Sequence, residues 1–261
     1  MLQDRFSFST GALFPLNTED ALSLLAQAGF KNAELMPQCL SDASEESTLL
    51  FEKTGVRIAS IHYPLAFFPM LYTPHKAMMA DGRKYVTQLL TLGKRLGTEF
   101  LVLHPHEPFR KGHEDILDDP VVENIKWVAA ECDRFGITVA MENSPKTCAT
   151  PEQLDEYVKI LNCPNIKPMV DTTEVREADG DPVAFIEKLP PCHLHMSDFL
   201  GDVKHLPAGE GDTDWVGVKR ALGGDKYTGF YTLEPAYRFY LDDIPKKLKE
   251  GFEFLERTFG V

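Results

Sequence analysis

Short apolar runs alternate with longer amphipathic stretches along the whole chain. "RFSFST", "NAELM", "VRIASIH", "EFLVLH", "ITVAMEN", "IKPMVD", "CHLHMS" and "GFYTLE" each have the length and composition of a buried strand. Between them the apolar residues recur every three or four positions, and helices are predicted. The first covers Thr18 to Ala28, with Asn17 or Thr18 as N-cap and Gly29 at its stop. Others lie around residues 43–54, closed by Gly55, in "MMADGRKYVTQLLTLGKRLG" and in "VVENIKWVAAECDRFG". "TPEQLDEYVKIL" carries Thr150 as cap and Pro151 at its first position. "DPVAFIEKL", "TDWVGVKRAL" and "IPKKLKEGFEFLERTF" complete the series.

Strands that alternate with helices indicate βα units and a parallel sheet. Eight such units in 261 residues match the size of a (β/α)₈ TIM barrel, which runs to about 250 residues. An open doubly wound sheet is disfavoured because the first βα turn, "STGALFPL", has no GxGxxG fingerprint. A single α/β domain over residues 1–261 is therefore expected. Composition adds exclusions: the formal net charge of −13 lacks the basic footprint of a nucleic-acid binder. No apolar run reaches the roughly 20 residues of a membrane span. The start "MLQDRFSFSTGALF" does not read as a secretory signal, so the cytoplasm is the expected compartment. The five cysteines form no CxxC pair and predict neither a disulfide framework nor a thiolate zinc site.

Candidate chemistry sits where the strands stop. Glu34, His62, His104, Glu142, Asp171, His195 and Glu234 end seven of the eight apolar runs, and in a TIM barrel the strand C-termini form the active face. One carboxylate after a strand is ordinarily the first solvated residue of a loop, but a repeated pattern predicts a shared pocket. Imidazole and carboxylate without thiolate suit a divalent ion such as Mn, Zn, Co or Mg. His193 and His195 fall on one face of their strand, so either could coordinate, and one could instead hold its neighbour in place.

The set Glu142, Asp171, His195 and Glu234, together with "HLHMSD" and "HLPAGEGDTDW", resembles the xylose-isomerase-like TIM barrels. That superfamily contains sugar isomerases and epimerases and includes endonuclease IV. The resemblance runs from "ELMP" to "LEP". It implies one divalent ion held by Glu142, Asp171, His195 and Glu234. One departure stands out: where the family carries Asp-x-x-His after the sixth strand, this chain has "DTTE", with Glu174 in the histidine's place. An endonuclease-like three-zinc site would need Glu174 to substitute, with His62, His104 and His205 completing the set.

What the resemblance implies is a metal-dependent isomerase or epimerase of a sugar, sugar phosphate or polyol, working through an enediolate. Glu142 and Glu234 are the expected acid–base pair, Asp171 and His195 mainly ligands, and His62, His104, Glu174 and His205 the expected substrate contacts. A same-family dehydratase of a keto-polyol and an endonuclease-type phosphodiesterase are the alternative enzymes, and a noncatalytic binding module the alternative class. The expected partner is a small carbohydrate, with no nucleic acid and no membrane; a homo-oligomer is compatible with the sequence. The long loop "YPLAFFPMLYTPHK" offers Phe67, Phe68 and Tyr72 either as a lid or as packing. Lys146, Arg176, Lys204 and Arg238 are candidates to hold a phosphate or carboxylate, or are solvated surface.

Overall fold

The computed structural model describes residues 2–106 and 114–260. Strands and helices alternate from β1 (Phe6–Phe8), α1 (Thr18–Ala28), β2 (Asn32–Leu35) and α2 (Glu45–Lys53) to β3 (Arg57–His62), α3 (Phe68–Tyr72) and α4 (Lys76–Leu96). Next come β4 (Phe100–Leu103), α5 (Glu114–Phe135), β5 (Thr138–Met141), α6 (Pro151–Leu161), β6 (Ile166–Pro168), β7 (Val170–Asp171) and α7 (Thr172–Glu177). The chain continues through α8 (Pro182–Lys188), β8 (Leu194–Met196), β9 (Asp198–Leu200), β10 (Val203–Leu206), α9 (Trp215–Ala221), β11 (Tyr231–Leu233) and α10 (Ile244–Phe259).

Parallel pairing makes two arcs, β2-β3-β4-β5-β6 and β7-β8-β11-β1. They close into a barrel at two seams. At one, β6 and β7 are a single expected strand that changes partner at Met169: Met169 N–H bonds Met141 O (2.8 Å), while Val170 N–H bonds His193 O (3.3 Å). At the other, Ser9 bridges in parallel to Glu34. The expected (β/α)₈ order is present. The pattern did not anticipate the antiparallel hairpin β9–β10 inserted after β8. The helix expected from Val121 begins at Glu114, so Pro120, of a type that ordinarily marks a helix start, lies inside it.

Local chemistry explains the helix ends. Thr150 and Gln153 form a reciprocal capping box on α6, with Pro151 in the first turn. Gly97 ends α4 at φ 82°, a left-handed conformation in which a Cβ would be strained. The strands alternate between two cores. Leu101, Leu103, Val139 and Met141 join the large cluster that the helices cover, whereas Phe100, Val102, Ala140, Met169 and Phe230 form a separate cluster with Ala59. This second cluster plugs the barrel; each buried Phe contributes roughly 1.5–3 kcal/mol over an exposed one.

Candidate metal centre and cavity

Strand pairing delivers two carboxylates to the mouth. Glu142 N–H bonds Leu103 O (2.9 Å) and Glu234 N–H bonds Met196 O (3.0 Å), so each residue prolongs the ladder of β5 or β11 by one step. Asp171 ends β7, and its Oδ1 caps α7 by accepting the Glu174 N–H at 2.8 Å. Its other oxygen, Oδ2, is buried and has no hydrogen-bond partner among the described residues. His195, fully buried at the centre of β8, places Nδ1 3.0 Å from Glu142 Oε1, 2.8 Å from Glu234 Oε2 and 3.9 Å from Asp171 Oδ2. One ligand atom from each of the four lies within 4.8 Å of the others.

These residues fit a divalent ion. Three carboxylates and one imidazole nitrogen are the donor types that suit Mn, Zn, Co or Mg, and an unsatisfied buried carboxylate oxygen calls for a cation. The electrostatics agree. Burial, reinforced by the charges of Glu142 and Glu174, pushes the Asp171 carboxyl up to about 8. Burial also opposes charge on Glu142, yet the imidazoles of His104 and His195 outweigh it and hold that carboxyl well below the usual range. His195 is driven the opposite way: against its burial, Glu234, Glu34 and Glu142 hold the imidazole well above its ordinary value.

A second set adjoins the first. His62 Nε2 and His104 Nε2 lie 3.2 Å apart and 3.6 and 2.9 Å from Glu142 Oε2. His62 directs Nδ1 at Tyr63 O (2.8 Å); with a proton on that nitrogen, Nε2 is the atom that an ion would take, and without an ion it presents an N–H toward Glu142. His62, His104 and Glu142 could therefore hold a further ion, with Glu142 shared between the sets. Above them opens a cavity of about 220 Å³ lined by His62, His104, Glu142, Asp171, Glu174, His205 and Glu234. Met36, Leu65, Ala236 and Tyr237 supply an apolar side. His205 reaches it from β10 in a left-handed conformation, φ 51°. Its Nδ1 lies 3.1 Å from Ser197 Oγ and its Nε2 3.7 Å from Glu174 Oε1. That carboxylate is the first outward pull on the imidazole, which despite burial is raised to about 9.

All eight candidate site residues thus converge, with His195 beneath the cavity rather than in its wall. Other expectations are corrected. Glu34 does not end its strand at the mouth: it is the third residue of β2, fully buried, and bonds Ser60, His193 and His195. Of the two readings open for Phe67, Phe68 and Tyr72, the contacts are those of packing: Phe67 lies against Tyr85, Phe68 against His104, and the buried Tyr72 donates to His104 O (2.7 Å). Leu65 is the loop's contribution to the cavity. Among the described lining residues there is no Lys or Arg. Arg176 pairs with Asp212, Lys204 with Glu177, and Arg238 donates to Lys204 O.

Sequence reasoning missed the supports. Asn143 clamps the Asp171 backbone, accepting its N–H (2.7 Å) and donating to its C=O (3.3 Å). Ser9 Oγ approaches Glu234 Oε1 at 3.4 Å. The Asn beside Glu142 was the available signal, an amide directly after a strand-end acid. Asp198, in "HMSD", is no ligand: its carboxylate accepts the N–H groups of Gly209, Thr213 and the Trp215 indole at 2.7, 3.0 and 2.9 Å. This explains the "GEGDTDW" stretch as a loop wrapped around one buried acid.

Residues 22–258 match the model of the xylose isomerase-like TIM barrel family. The chain belongs to that family. An uncharacterized protein of Methanocaldococcus jannaschii is 30% identical over 152 residues, 53% of this chain and 51% of the relative; the match thus spans about half the length of that relative. Among solved structures of the xylose isomerase-like barrels, 3-keto-D-glucoside 4-epimerase from E. coli superposes with a TM-score of 0.77 at 15% identity, covering 97% of this chain and 99% of the other. D-psicose 3-epimerase, solved in the presence of D-fructose, gives 0.78 at 16% identity, covering 98% and 100%. A probable 3-DHS dehydratase from Bacillus anthracis gives 0.75 at 15% identity, covering 96% and 98%. At such identities the likeness is one of fold. No described helix is long and apolar enough to cross a membrane.

Proposed function

We propose that the chain is a divalent-metal-dependent isomerase or epimerase of a small sugar or polyol. The observation that carries this reading is the placement of Glu142 and Glu234 on β5 and β11, both within 3.0 Å of the same His195 nitrogen beneath one small cavity. Glu142, Asp171, His195 and Glu234 would hold the ion, which supplies Lewis-acid polarisation of substrate oxygens and lowers the cost of losing a proton beside a carbonyl. The chain's own groups move that proton. One carboxylate takes it, and the other returns it to the neighbouring carbon or to the opposite face. Each has a second oxygen directed elsewhere, Glu142 Oε2 toward His104 (2.9 Å) and Glu234 Oε1 toward Ser9 (3.4 Å), so the exchanged proton has a partner on either side. Met36, Leu65 and Tyr237 give one flank of the cavity an apolar lining, while Glu174 and His205 offer hydrogen bonds to hydroxyl groups.

The test is a panel of ketoses and keto-polyols incubated in D₂O with Mn²⁺, Co²⁺, Zn²⁺ or Mg²⁺. Deuterium entering the carbon beside the carbonyl is expected. Glu142→Gln and Glu234→Gln should each retain much less metal and lose about 10²–10⁴-fold in exchange. Wild type that keeps no metal and exchanges no substrate would remove the reading. A dehydratase shares the first proton transfer and would reveal itself by an ultraviolet-absorbing enone. A two-metal phosphodiesterase is favoured by one feature, the sharing of Glu142 between the imidazole pair and His195, and predicts cleavage of abasic DNA with two ions bound.

A further inference from the structure

Below the four-residue centre lies a buried polar layer that touches no substrate space. Glu34 is its hub. Its Oε2 accepts Ser60 Oγ–H at 2.8 Å, His193 Nε2–H at 3.1 Å and His195 Nε2–H at 3.0 Å, and its Oε1 lies 2.9 Å from the same His195 nitrogen. We propose that Glu34 is a positioning residue that sets the tautomer of His195, holding its Nδ1 lone pair on the ion-binding side.

An ionised carboxylate only accepts hydrogen bonds, so each imidazole that meets it must present an N–H. Without an ion Nδ1 of His195 also meets carboxylates, Glu142 at 3.0 Å and Glu234 at 2.8 Å, and presents an N–H to them; when an ion displaces that proton, the one that remains is held on Nε2 by Glu34 and Nδ1 is left bare. Nδ1 is the atom that faces Glu142, Glu234 and Asp171. The strand period of two puts His193 on the same side of its strand as His195, and both therefore reach one carboxylate. His193 cannot share the duty at the centre: its ring is stacked on Phe100 in the apolar plug at 5.2 Å, and its Nδ1 has no partner among the described residues. What it does is bond the same oxygen of Glu34, Oε2, that His195 meets, and with Ser60 it anchors the carboxylate against His195. Carboxylates that orient metal-bound histidines change ion affinity typically 10–100-fold when removed. The inference rests on the ion-binding reading of Glu142, Asp171, His195 and Glu234.

Glu34→Gln is the informative change, because the charge is removed and, whichever way the amide turns, its NH₂ group faces His195 Nε2, which lies 2.9 Å from one carboxylate oxygen and 3.0 Å from the other. Competition of the purified protein with a chromophoric chelator for Co²⁺ should show roughly 10–100-fold weaker binding than wild type, with an altered cobalt absorption band. Glu34→Asp, which keeps the charge, should recover part of the loss. Long-range ¹⁵N NMR of Zn²⁺-loaded wild type should show His195 protonated at Nε2 and not at Nδ1, a readout that requires no variant to fold. Co²⁺ affinity and spectrum unchanged in Glu34→Gln, or a wild-type His195 protonated at Nδ1 with Zn²⁺ bound, would overturn the proposal. Wild type that binds neither ion would instead sink the metal centre itself.

Discussion

Replacing Asp198 by Asn tests whether one buried acid holds the loop that follows His205 and β10. The native carboxylate receives Gly209 N–H and the Trp215 indole on Oδ2, and Thr213 N–H with a weaker Phe199 N–H (3.2 Å) on Oδ1. In Asn, one of these oxygens becomes an NH₂ group, so whichever way the amide turns, two N–H donors meet another donor. The loop has little room to adapt: a Cβ on Gly211 would already sit 2.5 Å from Asp198 Oδ1. An unsatisfied buried donor costs about 1–3 kcal/mol, and with the amide turned to oppose Thr213 and the weak Phe199 bond the loss is that of one donor, about 1–3 kcal/mol. That is a large part of a total stability of about 5–15 kcal/mol. Urea denaturation measures it, and near-UV circular dichroism of Trp215 reports whether the indole has left its site. There is a pH component. Burial opposes charge on Asp198, but the bonds from Trp215, Thr213 and Gly209 prevail and lower its pKa. A lowered folded value means the stabilisation is complete above the unfolded carboxylate range near 4 and fades as the pH falls through the folded value. Asp198→Asn should therefore flatten the acid side of the stability profile. A variant within about 1 kcal/mol of wild type, with its Trp signal intact, would refute the reasoning.

Two further outcomes follow. Ion affinity should rise with pH, because His195 is held well above the ordinary imidazole value by Glu234, Glu34 and Glu142 against its burial, and proton and ion compete for Nδ1. Calorimetry in two buffers of different ionisation enthalpy should register proton release, and an affinity constant between about pH 6 and 9 would contradict this. Thr150→Ala removes half of the α6 capping box and should lower stability by about 1 kcal/mol without altering ion affinity; denaturation and chelator competition check the two halves separately.

The order of strands and helices was legible in the sequence because it depends on local periodicity: three buried positions in "TVAM" or a capping box at Thr150 are properties of a few neighbouring residues. The strand-end acids and imidazoles were legible for the same reason, since a polar group that stops an apolar run is visible without knowing its partners. The depth of a side chain within the barrel was not. Glu34 and Glu142 both follow apolar residues, yet one lies among His193, His195 and Ser60 while the other lines the cavity. Depth is set by the stagger of one strand against the next, as in the register shift between Ala33 and Glu34 where β2 pairs with β3, and stagger is a relation between distant segments. Only the closed barrel could decide that His195 faces the ion site and His193 the plug, that Phe68 supports His104 instead of covering substrate, and that Asn143 grips the backbone of a residue 28 positions away. Those are choices among partners, and the partners become neighbours only when the two arcs of the sheet close.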